Sequence, residues 1–185
     1  MQVHDYLDRA VSYPFPPKRI ISLCPAITET LFALGLKQEV VGRTQYCIFP
    51  ANEVASVPTV GGTKQVQLEK IQALQPDLII CEKEENTREM VEQLAAHFPV
   101  YVAQVESVDD AYRMIRDIGA VVNRLHEANM LEEQIAQAFR ALPKYTGRVA
   151  YMMWRKPYMV VGAPTYIDSV LTTLGFTNPF TQGEG

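Results

Sequence analysis

A short apolar strand runs directly into a helix between Arg19 and Gly35. Ile20–Leu23 predicts the strand, and Pro25 falls in the first helical turn, where its missing N–H would have no partner anyway. Gly35 is typical of a helix end. A strand that opens into a helix directs unpaired N–H groups beyond the sheet. In an open α/β sheet that edge binds ligands, so this segment predicts both a fold class and the position of a site.

The same alternation of short apolar strands and helices continues along the chain. Further strands are predicted over residues 40–42, 77–81 and 100–102, and helices over residues 68–74 and 87–97. Strands that are apolar on both faces are typical of a parallel sheet covered by helices on each side. Residues 1–18 precede this pattern and predict an arm or a short edge hairpin closed by prolines.

An uninterrupted helical pattern from Ser107 to Leu142 is the longest element that the sequence predicts. Ser107 and Asp110 form a capping pair at its start, and Gly119 is the only weak residue in its interior. At 1.5 Å per residue such a helix would be about 54 Å long. A coiled coil or a bundle helix is the ordinary interpretation of such a pattern, and the mixed rather than heptad apolar spacing argues against the coiled coil.

The strand and helix pattern restarts after Pro143, with a strand over 148–154 and a helix over 166–174. One strand and one helix cannot form a self-sufficient lobe. We therefore divide the chain into an N-terminal α/β lobe (1–106), a backbone helix (107–142) and a partial C-terminal α/β lobe (143–185). An incomplete lobe predicts either self-association with another chain or disorder after about Phe180.

Composition and motifs exclude several classes of protein. The chain has 185 residues and a formal net charge of −4, which argues against a nucleic-acid-binding surface. No apolar run reaches the roughly 18 residues of a membrane span. Residues 1–8 lack the basic and apolar regions of a signal peptide, so the sequence as given predicts a cytoplasmic protein. No nucleophile elbow and no phosphate loop is present, so we expect a binding protein and not an enzyme.

The three cysteines, Cys24, Cys47 and Cys81, each follow or end a predicted strand. Three thiols at one sheet edge could meet a soft metal or haem iron, or serve a metalloenzyme-like scaffold. However, the zinc spacing Cys-x-x-Cys is missing, and buried cysteines usually fill space, so we expect no metal site. The histidines, His4, His97 and His126, lie on separate predicted elements and are expected in solvent.

Five segments, in their order along the chain, resemble the substrate-binding proteins of cobalamin and iron-siderophore ABC importers, the helical-backbone metal receptors. They are Arg19–Glu29, Val57–Gly62, Leu68–Ile80, the helix from Ser107, and Arg148–Trp154. The match extends over nearly the whole chain from Lys18 onward. Lys83–Asn86 and Trp154–Met159 make it most similar to a leaderless cobalamin-binding subgroup.

The resemblance implies an α/β fold of two Rossmann-like lobes joined by one long backbone helix, a clamshell whose second lobe is incomplete in this chain. It also implies a ligand-binding protein of an ABC-type importer that captures a corrinoid, cobalamin, between its lobes. Such a protein would be periplasmic, would meet an ABC permease and would carry no cofactor. A ferric siderophore or haem is the alternative ligand, and a cytoplasmic corrinoid or metal sensor or carrier is the alternative role.

The ligand is expected at the carboxyl ends of the strands. The first lobe is expected to contribute Cys24, Pro25, Ala26, Tyr46, Gly62, Thr63 and Glu82, with Cys81 beside them. The second lobe is expected to contribute Trp154, Arg155 and Tyr158, with Thr165 as a further candidate. Aromatic rings suit a large, flat, partly apolar ligand, although Trp154 and Tyr158 could equally belong to a core. Arg155 and Lys156 keep an anionic iron chelate open as the ligand.

Glu69 follows the apolar residue that opens a short predicted helix, so its side chain should be exposed. By the resemblance, Glu69 matches the surface glutamate of the first lobe that docks on arginines of the membrane permease. The other interpretation is a charge that complements the positive end of the helix dipole. Two further acidic pairs, Glu84–Glu85 and Asp109–Asp110, are expected as solvated charge at helix starts.

Overall fold

The computed structural model describes residues 1–180, which form two compact units. Unit 1 comprises Met1–Gln104 and Ile115–Leu131, and unit 2 comprises Val105–Met114 and the described residues from Glu132 onward. Both units mix strands and helices, which confirms the predicted α/β class. Among residues 1–180, no helix combines the length and the apolar character that crossing a membrane requires.

Strands and helices alternate along the chain. Unit 1 contains β1 (Gln2–His4), β2 (Ala10–Ser12), β3 (Ile20–Ser22), α1 (Pro25–Ala33), β4 (Val40–Arg43), α2 (Ala51–Val54), α3 (Leu68–Leu74), β5 (Leu78–Glu82), α4 (Arg88–Ala95) and β6 (Val100–Ala103). Two helices contribute residues to both units: α5 (Val108–Val121) and α6 (Leu125–Ala141). Unit 2 also contains β7 (Met152–Trp154), β8 (Met159–Val160) and α7 (Tyr166–Thr173).

The core of unit 1 is a parallel four-stranded sheet in the order β4-β3-β5-β6. Every residue of β3, β5 and β6 is buried, as continuously apolar strands predict. Ile20 pairs with Val40 on one side and with Leu78 on the other. Ile71 of α3 and Leu94 of α4 belong to the apolar cluster that covers the sheet. Because the strands are parallel, their carboxyl ends and the loops that follow them share one edge.

The N-terminal residues form the hairpin β1-β2, one of the two structures predicted for residues 1–18. This hairpin covers the outer edge of β6. The backbone N–H of Tyr6 donates to the Val102 oxygen at 3.1 Å, and the Val102 N–H donates to the Asp5 carboxylate at 3.2 Å. The Asp5 side chain is fully buried and pairs with Arg9 at 2.6 Å. A strand edge satisfied in this way is protected against pairing with other chains.

The single helix predicted from Ser107 to Leu142 is wrong, because the structure has two helices in this range. The first helix, α5, ends at Val121, and α6 begins at Leu125. Between them Asn123 has a φ of 59°, in the left-handed region. Asparagine tolerates this conformation better than most residues, so it ends a helix without the Gly or Pro that usually marks such a break.

The turn after α5 brings Ala128 of α6 against Gly119 of α5. The Arg124 N–H donates to the Gly119 oxygen at 2.6 Å and closes this turn. The weak interior glycine of the predicted helix is therefore a point of close helix contact. The predicted capping pair is present, since the Asp110 N–H donates to Ser107 Oγ at 3.0 Å.

Unit 2 contains the antiparallel hairpin β7-β8 and the helix α7. The strand predicted over 148–154 is regular only in β7, while Arg148 forms an isolated parallel bridge with Thr177. The sequence did not predict β8, which pairs Val160 with Met152. All three residues of β7 are exposed. The disorder predicted after Phe180 concerns residues that lie outside the described range.

Candidate functional site

The carboxyl ends of β3 and β5 bring the first group of predicted ligand residues together. Ser22 pairs with Ile80 in the parallel register, so the residues that follow on each strand, Cys24 and Glu82, reach the same edge of the sheet. Pro25 begins α1 at this edge, as predicted. We call the loops that meet here (residues 23–26, 44–50, 61–65 and 82–86) the carboxyl edge.

Asn86 joins three loops of the carboxyl edge through its side-chain amide. Its Oδ1 accepts a hydrogen bond from the Glu82 N–H at 2.9 Å. Its Nδ2 donates to the backbone oxygens of Leu23 at 3.1 Å and Thr63 at 2.8 Å. Asn86 is only 4% exposed. The sequence predicts candidate residues in each of these loops. Asn86 ends the Lys83–Asn86 motif but was not among the predicted site residues, because its contacts are not a local pattern.

Tyr46 lies beside residues 61–65, which belong to the segment after α2 and which we call the glycine loop. The Gln45 N–H donates to the Gly61 oxygen at 2.8 Å, which ties the loop after β4 to this glycine loop. A Cβ added at Gly62 would lie 3.3 Å from Cε2 of Tyr46. Since Thr63 follows directly, the structure brings the predicted residues Tyr46, Gly62 and Thr63 to the same edge as Cys24 and Glu82.

The loop after β4 exposes three large apolar side chains. Tyr46 is 56% exposed, Ile48 is 57% exposed and Phe49 is 55% exposed. A cluster of exposed apolar side chains rimmed by polar groups is typical of a binding surface. Tyr46 was among the predicted site residues, whereas Ile48 and Phe49 were not. The run of apolar residues before Pro50 was the available signal.

The Glu82 carboxylate binds to the loop that follows its own strand. Its Oε2 accepts from the Glu84 N–H at 2.7 Å and from the Glu85 N–H at 3.0 Å, and Glu82 is 7% exposed. These contacts order the turn after β5. Glu82 therefore shapes the carboxyl edge, and its contact with a ligand stays a prediction.

The three cysteines are buried thiols, and no group of three His, Cys, Asp or Glu side chains within residues 1–180 is placed to hold a metal ion. Burial raises the pKa of the Cys24 thiol to about 12, while the backbone N–H groups of Ile27 and Ala26 act in the opposite direction. Burial also raises the pKa of Cys81 far above its usual range. All three thiols are buried, as the space-filling interpretation expects.

Cys81 and Cys47 are buried beneath the surface of the carboxyl edge. Cys81 packs in the apolar core with Leu23 and Val102, so its predicted place beside the ligand is wrong. The strand carries its side chain into the covered face of the sheet. Cys47 is also buried, with its Sγ 3.1 Å from Oγ1 of Thr44.

The residues predicted from the second lobe lie around the hairpin of unit 2. Trp154 is 64% exposed and Tyr158 is 74% exposed. Neither ring is buried among the described residues of unit 2. Trp154 Nε1 donates to the Lys156 oxygen at 3.0 Å, which holds the ring over the turn that also carries the exposed Arg155.

Thr165 and Glu69 both belong to helix starts. Thr165 is the N-cap of α7, and its hydroxyl accepts from the Asp168 N–H at 3.2 Å. This contact explains Thr165 without a ligand. Glu69 is exposed in the first turn of α3, as predicted. The exposure of Glu69 fits both docking to a permease and interaction with the helix dipole.

Comparison with known proteins gives matches over most of the chain. Residues 20–185 match the periplasmic binding protein family. A vitamin B12-binding protein of Pectobacterium carotovorum is 25% identical over 175 residues, which cover 90% of this chain and 63% of that protein. The crystal structure of the periplasmic vitamin B12-binding protein of Vibrio cholerae aligns with a TM-score of 0.77 at 24% identity, over 93% of this chain and 69% of that one.

A periplasmic haem-binding protein of Pseudomonas aeruginosa also aligns, with a TM-score of 0.75 at 22% identity, over 90% of this chain and 64% of that one. At these identities the two solved structures show that this chain shares their fold. The ligands that they bind are properties of those two proteins. The chain spans 63% of the length of the Pectobacterium protein that it matches.

Proposed function

Because the chain belongs to the periplasmic binding protein family, we propose that it is the ligand-capturing component of an ABC importer, that it acts in the periplasm, and that its ligand is a corrinoid such as cobalamin. Family membership confirms the resemblance predicted from the sequence. The observation that carries the proposal is the carboxyl edge of unit 1, where four loops present an exposed aromatic ring among small residues. The vitamin B12-binding relatives support the choice of ligand.

The chemistry of the carboxyl edge suits binding without catalysis. Exposed apolar side chains at Tyr46, Ile48 and Phe49 would be removed from water by a large ligand, at about 25 cal/mol per Å² of buried apolar area. Ala26 and Gly62 leave the backbone accessible, so that a few polar groups can orient the ligand. The relatives are binding proteins by name, and we propose that this chain likewise acts by binding alone.

A ferric siderophore or haem is the second candidate ligand, and the charge of unit 2 supports it. Arg155 and Lys156 are exposed in the turn beside Trp154. Cationic side chains form strong hydrogen bonds with carboxylates and other anionic groups, which iron chelates carry. An indole ring can stack on a corrin or on a porphyrin, so the charge of the ligand distinguishes the candidates better than its flatness does.

Titration of the 185-residue chain with cyanocobalamin, haemin and ferrichrome tests the choice of ligand. Equilibrium dialysis measures the binding of each ligand without a reporter in the protein, and we expect cyanocobalamin to bind saturably. Preferential binding of haemin or ferrichrome would replace the corrinoid by the second candidate. No saturable binding of any of the three would contradict the proposed function.

Replacing Tyr46 by Ala is expected to raise the Kd of the bound ligand about tenfold, because truncating an aromatic side chain in an interface commonly costs 1–2 kcal/mol or more. Dialysis measures this change directly. Leu7→Ala is the control, since Leu7 is an exposed apolar side chain on the N-terminal hairpin of the same unit, 42% exposed. Equal affinities of the Tyr46→Ala protein and the native chain would remove Tyr46 from the site.

Reversing the charge of Glu69 is expected to separate ligand capture from delivery. The Glu69→Arg chain should bind ligand with an unchanged Kd, because Glu69 lies in α3 and outside the carboxyl edge. If its carboxylate meets arginines of the permease, ligand-stimulated ATPase activity of the importer in proteoliposomes should be lost. Glu89→Arg is the matched control, an exposed acid in the first turn of α4. Equal losses with both variants would contradict a specific docking role.

A further inference from the structure

We propose that Asn86 is a positioning residue, which holds the loops of the carboxyl edge in their ligand-binding arrangement. Its importance for affinity rests on the proposed function. Its importance for the arrangement of the loops rests on contacts within unit 1 alone. The two can therefore be measured separately.

The amide of Asn86 connects segments that are far apart in the sequence. It accepts from the N–H of Glu82, four residues before it, and donates to the oxygens of Thr63 and Leu23, 23 and 63 residues before it. A carboxamide supplies two N–H donors and an acceptor oxygen in one plane. An aspartate cannot replace these donors, and a hydroxyl supplies only one.

Thr63 extends this constraint to the exposed aromatic ring. It belongs to the same glycine loop as Gly61, whose oxygen accepts from the Gln45 N–H at 2.8 Å. Tyr46 follows Gln45 directly. One buried side chain thus acts, directly or through one further hydrogen bond, on every loop of the carboxyl edge.

The start of α4 does not require Asn86. Thr87 is the N-cap of this helix, and its Oγ1 accepts from the Met90 N–H at 3.3 Å. Asn86 precedes the cap, and its amide points to the carboxyl edge instead. A role limited to helix initiation therefore does not explain its burial or its partners.

The substitution Asn86→Asp tests the proposal, because it keeps the size and the acceptor oxygen but removes both donors. The oxygens of Leu23 and Thr63 would lose their partner and face a carboxylate. We expect the Kd of the ligand found by titration to rise about tenfold or more. In the ligand-free chain, hydrogen exchange should become faster in peptides covering 23–26, 61–65 and 82–85 while α5 is unchanged.

Tyr13→Phe is the matched control for loss of a buried hydrogen bond. The Tyr13 hydroxyl donates to the Val121 oxygen at 3.0 Å, in the same unit but outside the carboxyl edge. This variant should change neither the Kd nor exchange at the edge. If Asn86 acts through the position of Tyr46, then Asn86→Asp and Tyr46→Ala should be non-additive in their effects on Kd. A purely structural role would give additive effects.

The outcomes separate this proposal from the proposed function. If the native chain binds none of the three ligands, the proposed function fails, while the exchange pattern still decides the role of Asn86. Exchange that is unchanged, or that rises uniformly across unit 1, overturns the positioning role. So does an unchanged Kd in a chain that binds ligand. If the Asn86→Asp chain does not fold, Asn86→Ser removes the second donor without adding a charge and is judged by the same measurements.

Discussion

The Asp5→Ala chain is expected to unfold with a free energy about 3 kcal/mol lower than the native chain, because the Arg9 guanidinium and three backbone N–H groups lose one buried carboxylate together. The Asp5 carboxylate is fully buried. It accepts from the backbone N–H groups of Leu7 at 3.0 Å, Arg9 at 3.0 Å and Val102 at 3.2 Å. It also binds the Arg9 guanidinium at 2.6 Å. Alanine removes the acceptor that these donors share, while the Arg9 guanidinium keeps the Val100 oxygen at 3.3 Å.

Urea unfolding followed by far-ultraviolet circular dichroism measures the loss. Glu92→Ala is the control, because Arg88 and Glu92 also form an i,i+4 ion pair, but on the surface, with side chains that are 85% and 60% exposed. Exposed pairs contribute little to stability, so this variant should unfold almost as the native chain does. Equal shifts for the two variants would contradict the special role of the buried carboxylate. Asp5→Asn, which keeps an acceptor oxygen, should fall between them.

The Gly119→Ala chain is expected to be destabilised by about 2 kcal/mol, because the added methyl group overpacks the contact between α5 and α6. Within a helix, replacing Gly by Ala normally stabilises by up to about 1 kcal/mol. Here a Cβ at Gly119 would collide with the Cβ of Ala128, which is fully buried, and would lie 3.0 Å from the Arg124 oxygen. The backbone at Arg124 and the buried methyl group of Ala128 cannot move aside as a flexible side chain can. The steric cost of the added methyl group therefore exceeds the gain in helix propensity.

A double-mutant cycle tests this prediction about Gly119. Ala128→Gly alone should destabilise by about 1 kcal/mol through helix propensity. Combined with Gly119→Ala, it removes the colliding methyl group, so the double variant should be more stable than Gly119→Ala alone. Additive losses in urea unfolding would show that the two positions do not interact. A stabilised Gly119→Ala chain would contradict the close approach of the helices.

The sheet of unit 1 could be predicted because its signals are local. Apolar runs such as Leu78–Glu82 are buried on both faces, and a parallel order places the loops after successive strands at one edge. The turn between α5 and α6 could not be predicted in this way. Asn123 leaves the predicted apolar spacing uninterrupted, and its left-handed conformation accompanies the packing of Ala128 on Gly119, a tertiary contact that the local pattern does not encode.

The sequence by itself determined the α/β class, the strands of the parallel sheet and the loops that meet at the carboxyl edge, because each follows from patterns within a few residues. Only the tertiary structure decided how these loops are held. The bonds of Asn86 to Thr63 and Leu23 span 23 and 63 residues, and no local pattern encodes them. Two further features depend on the fold: the Glu82 carboxylate accepts hydrogen bonds from its own loop, and the Trp154 side chain is exposed. Hydrogen bonding and burial are set by neighbouring residues, which only the tertiary structure brings together.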